Sequence, residues 1–143
     1  MKAESKILDF TSKVAINAGE ILNKNFGKLH YIKDKSSAID LCTNADLESE
    51  EYIIKEIKEN FPNHSIISEE MGEQNTDSEY LWVIDPLDGT TNFAHNLPIF
   101  SVSIGLIKKS EGTICGVVYN PAADKLFYAI KNQGAFLNNK PIS

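Results

Sequence analysis

The densest chemistry in this 143-residue chain lies in the run Trp82-Val83-Ile84-Asp85-Pro86-Leu87-Asp88-Gly89-Thr90-Thr91-Asn92. An apolar segment ends in the carboxylate of Asp85, turns through Pro86 and reaches a second carboxylate, Asp88. It then meets a Gly-Thr-Thr-Asn cluster suited to opening a helix. Two carboxylates three residues apart across a tight turn can converge on one point, and a backbone carbonyl such as that of Leu87 can join them. Such a set is all oxygen, which suits Mg2+ rather than zinc or copper. The N–H groups of Gly89, Thr90 and Thr91 at a helix start would face an anion beside the metal. Taken alone, Pro86-Leu87-Asp88-Gly89 also reads as an ordinary surface turn. Glu69-Glu70, directly after the apolar pair Ile66-Ile67, shifts the balance, because a second strand end then carries acids.

The charge pattern points the same way. All fourteen cations are Lys, against twenty acids, for a net charge of −6. No cation falls between Lys58 and Lys108, where eight acids lie, so that stretch carries −8 and the remainder, fourteen lysines against twelve acids, carries +2. With no Arg, phosphate recognition by a guanidinium fork is unavailable within this chain. The acidic balance argues against a nucleic-acid grip. No apolar run is long enough to span a membrane, and the start is charged rather than signal-like. Cys42 and Cys115 are far apart with no metal-ligand spacing and read as reduced, buried thiols of a cytoplasmic protein. Asn63-His64-Ser65 fits a glycosylation sequon by chance.

These residues need elements to hold them. Residues 5–26 place Ile7, Leu8, Phe10, Val14, Ala18, Ile21, Leu22 and Phe26 on one helical stripe, closed by Gly27. Residues 29–42 read as two short extended pieces around a polar loop, Lys33-Asp34-Lys35-Ser36-Ser37. A second helix is expected from near Thr43 or Asn44 to about Asn60, with Leu47, Ile53, Ile54, Ile57 and Phe61 inward and Pro62 ending it. Asp46 follows Thr43 at capping-box spacing. From Ile66 the period becomes two, and strands are expected at Ile66-Ile67, Leu81–Ile84, Ser101–Lys108, Thr113–Tyr119, Lys125–Lys131 and Gly134–Leu137, with Asn138-Asn139 turning after the last. Two helices followed by a strand meander predict an α+β fold, a mainly antiparallel sheet with helices on one face. The length fits one domain or a piece of a larger one.

Glu69-Glu70 followed by Asp85-Pro86-Leu87-Asp88-Gly89-Thr90-Thr91-Asn92-Phe93 resembles the signature of the inositol monophosphatase family, Mg2+-dependent and lithium-sensitive sugar-phosphate phosphatases. The likeness extends through Asp40-Leu41, Thr43 and Asp46 upstream. Downstream it takes in Ser101–Gly105, Gly116–Tyr119 and Gly134-Ala135-Phe136, so it covers essentially the whole chain. The alternative D-x-D-G-T pattern of the haloacid dehalogenase superfamily is disfavoured, because Pro86 occupies the nucleophile's place and Asp85 is one residue too far. The resemblance implies the N-terminal part, residues 1–143, of a layered αβαβα sugar-phosphatase fold, whose second half has no counterpart here. It implies hydrolysis of myo-inositol monophosphate by a metal-activated water. Alternatives are the same mechanism on fructose 1,6-bisphosphate or a 3′-phosphonucleotide, or a non-catalytic regulatory role with RNA polymerase.

By the same resemblance, Glu69, Asp85 and the Leu87 carbonyl hold a first metal, and Asp85 and Asp88 serve a second. Two or three Mg2+ ions are implied, the second site being completed by the absent half. Glu69 and Thr90 orient the attacking water, and Asp46 supports Thr90. Glu69, Leu87, Asp88, Gly89 and Thr90 face the substrate, the Gly89 and Thr90 amides holding its phosphate. Lys35 matches a mobile active-site loop. The partner implied is a small phosphorylated polyol or sugar, and the full-length protein is implied to be a homodimer. His95, beside the motif, reads as structural or surface-facing, because a water activated by metal and carboxylate needs no imidazole.

Overall fold

The computed structural model describes residues 3–28, 34–68, 72–74 and 77–143. Helix α1 (Ala3–Gly27) follows its apolar period, burying Val14, Ala15, Ala18 and Leu22. Gly19 lets this helix lie directly on the sheet, since a Cβ there would stand 2.5 Å from the ring of Tyr119. That ring is anchored, its hydroxyl donating to Asp124 Oδ1 at 2.8 Å. Burial and then the Asp124 carboxylate push its phenol up to about 12.

Helix α2 (Lys35–Asn60) starts well before the expected Thr43 or Asn44. Residues 35–42 are therefore helical rather than extended, while 29–33, the first part of that expectation, lie outside the described residues. The cause is local. Asp34 is the N-cap, its Oδ1 accepting from the Ser36 N–H at 3.2 Å, and polar residues taken as a loop form the first turn. Ala38, Leu41, Cys42 and Ala45 carry the apolar stripe back from Ile53, Ile54 and Ile57. Three further expectations change with this extension. Lys35 is the first helical residue and not part of a loop. Thr43 and Asp46 stand in the helix interior, where the Thr43 hydroxyl donates to the Ile39 carbonyl at 3.1 Å instead of capping. Leu47 is 41% exposed instead of inward. The helix ends at Phe61, whose N–H reaches the Ile57 carbonyl at 2.7 Å, with Pro62 next.

Among the described residues eight strands form one sheet: β1 (Ser65–Ser68), β2 (Gly72–Gln74), β3 (Tyr80–Asp88), β4 (Ser101–Lys108), β5 (Gly112–Asn120), β6 (Lys125–Ile130), β7 (Ala135–Leu137) and β8 (Lys140–Ile142). Their order is β2-β1-β3-β4-β5-β6-β7-β8. Among the described residues only β1 and β3 pair in parallel. The α+β expectation holds, with two strands added. β2 is too short to show a period, and β8 follows the Asn138-Asn139 turn, where both residues have positive φ, on an edge that tolerates Pro141. Alternation sends Trp82, Ile84, Val102, Ile104, Leu106, Cys115 and Val117 into one core with α1 and α2. Val83 and Val118, on the other face, are 41% and 38% exposed. Both cysteines are buried free thiols, and burial raises Cys115 to about 11. No described helix is long and apolar enough to cross a membrane.

His64 carries no sequence pattern, yet it joins the helix end to the sheet. Its ring stacks between Phe61, 4.8 Å away, and Tyr80, 4.7 Å away. The Trp82 Nε1–H donates to its Nδ1 at 2.9 Å, which requires the imidazole neutral at that nitrogen. Burial lowers the His64 pKa. A lowered histidine pKa means the unfolded chain binds protons first, so stability is full above the unfolded value of about 6.5 and is lost as pH falls through the folded one. Melting temperature should therefore drop between neutral pH and about pH 5, and His64→Gln should flatten that slope; an equal slope in the variant rejects this source. Gly19→Ala should cost about 1–3 kcal/mol by overpacking against Tyr119, read as a lower denaturation midpoint at unchanged slope.

Candidate functional site

Strand β3 brings the two carboxylates to one side by an irregularity rather than by the expected turn. Asp85 stands opposite Ser103 and Asp88 opposite Ser101, three steps on β3 against two on β4. On an unbroken strand, residues three apart face opposite sides; the extra residue makes a β-bulge that re-aims them. Asp85 and Asp88 thus share the side of Ser103 and Ser101, half-buried and exposed respectively, while Pro86 and Leu87 turn inward and are buried. Among the described residues the pairing of β3 with β1 runs as far as Ile84, opposite Ser68.

Beyond Asp88 the chain turns at Gly89 and enters the short helix α3 (Thr90–Ala94). Only glycine fits this turn: φ is +92°, and a Cβ would stand 2.9 Å from the Ile99 carbonyl oxygen. The Phe93 N–H closes back on the Gly89 carbonyl at 2.9 Å, and the Asn92 side-chain amide holds the Ile99 carbonyl at 2.9 Å. Phe93, fully buried, packs its ring on Phe26 and Phe100 at centroid distances of 5.4 and 4.9 Å. An aromatic cluster thus anchors the turn.

The structure brings Asp46 and Thr90 together on the wall of a cavity of about 410 Å3 between α2 and α3, with Cys42, Thr91 and His95 beside them. Asp46 is half-buried. The Cys42 thiol reaches the Thr90 carbonyl at 3.6 Å, and burial, then the Asp46 charge, raises its pKa, so it stays protonated at neutral pH. His95 is exposed, its Nδ1 2.8 Å from the Thr91 carbonyl oxygen. Asp88 and Gly89 line a separate open groove of about 370 Å3 with Asn92, Phe100 and Phe127. Asp85 lines a third, shallow hollow with Ser68 and Ile84. Glu69 and Glu70 lie outside the described residues. Among the described residues no three His, Cys, Asp or Glu side chains are close enough to hold a metal. The donors that Asp85, Asp88 and the Leu87 carbonyl would offer are nonetheless all hard oxygens, the chemistry Mg2+ takes.

Two buried polar residues bear on this site and escape the motif reading. Ser49 Oγ donates to the Pro86 carbonyl at 2.9 Å, and Glu50 Oε2 accepts from Ser68 Oγ at 2.8 Å. The available signal was their place on the buried stripe of α2, one turn before Ile53 and Ile54, where apolar residues are the norm.

Residues 3–143 match the family described as the Inositol monophosphatase family. The chain is 43% identical over 141 residues to "Inositol monophosphatase 3" of Solanum lycopersicum, covering 96% of itself and 52% of that protein. It is 42% identical over 144 residues to "Fructose-1,6-bisphosphatase/inositol-1-monophosphatase" of Aquifex aeolicus, covering 99% of itself and 54% of that protein. Among solved structures, inositol monophosphatase from Anabaena superposes with a TM-score of 0.81 at 40% identity, over 97% of this chain and 49% of that one. The chain spans about half the length of the curated relatives it matches. It belongs to the inositol monophosphatase family.

Proposed function

We propose that residues 1–143 form the metal- and phosphate-binding part of a Mg2+-dependent phosphomonoesterase acting on myo-inositol monophosphate. The observation that carries this reading is the β3 bulge, which sets Asp85 and Asp88 on one side immediately before the Gly89 turn. Asp85, the Leu87 carbonyl and Glu69 would hold one ion, and Asp85 and Asp88 a second. When bound, Mg2+ supplies an acidified water and neutralises charge on the phosphate and leaving oxygen. Glu69 and the Thr90 hydroxyl orient the attacking water, and Asp46, on the same cavity wall as Thr90, fixes that hydroxyl. The Gly89 and Thr90 N–H groups hold phosphate oxygens, work that falls to backbone and metal because the chain has no Arg.

Fructose 1,6-bisphosphate is a second substrate reading, favoured by the Aquifex aeolicus relative, whose name carries both activities. Contacts to the sugar ring and a further Asp for the second metal belong, in the family's fold, to the half beyond the matched region. Lithium inhibition, a cytoplasmic location and a homodimer belong to the same proposal.

Millimolar Mg2+ should raise the melting temperature, because it relieves repulsion among the clustered carboxylates and binds only the folded state; an unchanged melting curve would sink the metal site. Asp88→Asn should remove most of that rise. On a chain carrying both halves, it should also lower kcat by more than the about 10–100-fold seen when a residue merely supports a metal ligand. Phosphate release from myo-inositol monophosphate compared with fructose 1,6-bisphosphate on that chain decides the substrate, and no release from the former removes the first choice.

A further inference from the structure

Strands β1 and β3 are neighbours and run parallel. Ser68 of β1 pairs with Ile84 of β3, and these residues immediately precede Glu69 and Asp85 in the sequence. Whatever sets the spacing of β1 against the β3 bulge therefore sets the separation from which the two acids start. Helix α2 contacts both places from one turn. Ser49 and Glu50 are 0% and 1% exposed. The Ser49 hydroxyl takes the Pro86 carbonyl, inside the bulge between Asp85 and Asp88. The Glu50 carboxylate takes the Ser68 hydroxyl, itself 5% exposed.

Neither residue is needed for packing as such. Burying a carboxylate costs several kcal/mol before its partners offset it, and well-packed apolar replacements of buried charges are often neutral or stabilising. The neighbours on the same stripe, Ile53, Ile54 and Ile57, are buried aliphatic residues. What a Leu at position 50 or an Ala at 49 could not do is hold a hydroxyl or a carbonyl at a fixed place. Buried, directional hydrogen bonds from one rigid helix are the means by which metal ligands are oriented from behind.

We propose that Ser49 and Glu50 are positioning residues: a two-point clamp from α2 that fixes β1 at Ser68 and the β3 bulge at Pro86, and so sets the geometry with which Glu69, Asp85 and Asp88 meet the metal. The clamp rests on the metal-dependent reading above and deepens it. It acts through backbone and Ser68, touching neither metal nor substrate.

The test uses the full chain with Mn2+ alone as probe, its free concentration read by electron paramagnetic resonance, together with melting in EDTA. Ser49→Ala and Glu50→Leu should weaken Mn2+ binding about 10–100-fold and lower kcat more than they change KM, while shifting the metal-free melting temperature by only a few degrees. Glu50→Gln, which keeps an acceptor for the Ser68 hydroxyl, should recover most of the affinity. Glu50→Leu and Ser68→Ala should be non-additive in a double-mutant cycle. Mn2+ affinity in Ser49→Ala and Glu50→Leu equal to the wild type overturns the clamp, as does a Glu50→Gln variant as impaired as Glu50→Leu. If Glu50→Leu does not fold, Ser49→Ala, which deletes one hydroxyl, decides the matter. A wild-type chain that binds no Mn2+ overturns the metal-dependent reading itself, an outcome separate from a metal-binding wild type with unaffected variants.

Discussion

One extra residue in β3 decides where two carboxylates point. Between Asp85 and Asp88 the strand advances three residues while its partner advances two, and the side-chain alternation of a regular strand is broken there. Without that step, Asp88 would face the side opposite Asp85, toward the helices and the core that Trp82 and Ile84 help fill. With it, Pro86 and Leu87 go into the core and both acids stay on the open side. The bulge depends in turn on what surrounds it. The Ser49 hydroxyl donates to the Pro86 carbonyl, and the Gly89 turn carries the chain away at a φ that only glycine adopts readily.

The remainder of the fold holds this step in place. Helix α1 lies close on the sheet because Ala15, Ala18 and Gly19 present almost no side chain. Helix α2 spans from the Asp34 cap to the His64 stack. On the way it presents Cys42 and Asp46 to α3, then Ser49 and Glu50 to the acidic strand ends. Lysines 108 and 131 meet Glu111 at the β4–β5 hairpin, at the opposite end of the sheet from Asp88. Among the described residues the sheet therefore carries these ion pairs at one end and the Asp85–Asp88 turn at the other.

Much of this was legible from residue order. The acid-Pro-Leu-acid-Gly-Thr run, the cation-free stretch around it and the switch from helical to alternating period are all local patterns, and local chemistry is what a sequence displays. The start of α2 is not legible in the sequence for a related reason. Asp34, Ser36 and Ser37 serve equally as loop residues or as a cap and first turn, and the choice was made by burying Ala38, Leu41 and Cys42 against the rest of the core. The burial of Glu50 is not legible because Glu48, Glu50 and Glu51 look alike in the sequence and a Glu on a helix normally faces water, and its partner Ser68 lies eighteen positions away.

The sequence alone determined the donor types: hard carboxylate oxygens, no guanidinium, and a glycine-led turn into a helix. Those follow from composition and spacing, which no fold can alter. Only the tertiary structure decided their direction and company. Placing Asp85 and Asp88 on one side of the sheet required a register shift against β4, and bringing Asp46 and Thr90 to the wall of one cavity required α2 to pack against α3. The hydrogen bonds of Ser49 and Glu50 required α2 to reach β3 at Pro86 and β1 at Ser68. Each is a long-range contact, formed when the apolar faces of distant segments are buried together, and no short stretch of the chain encodes it.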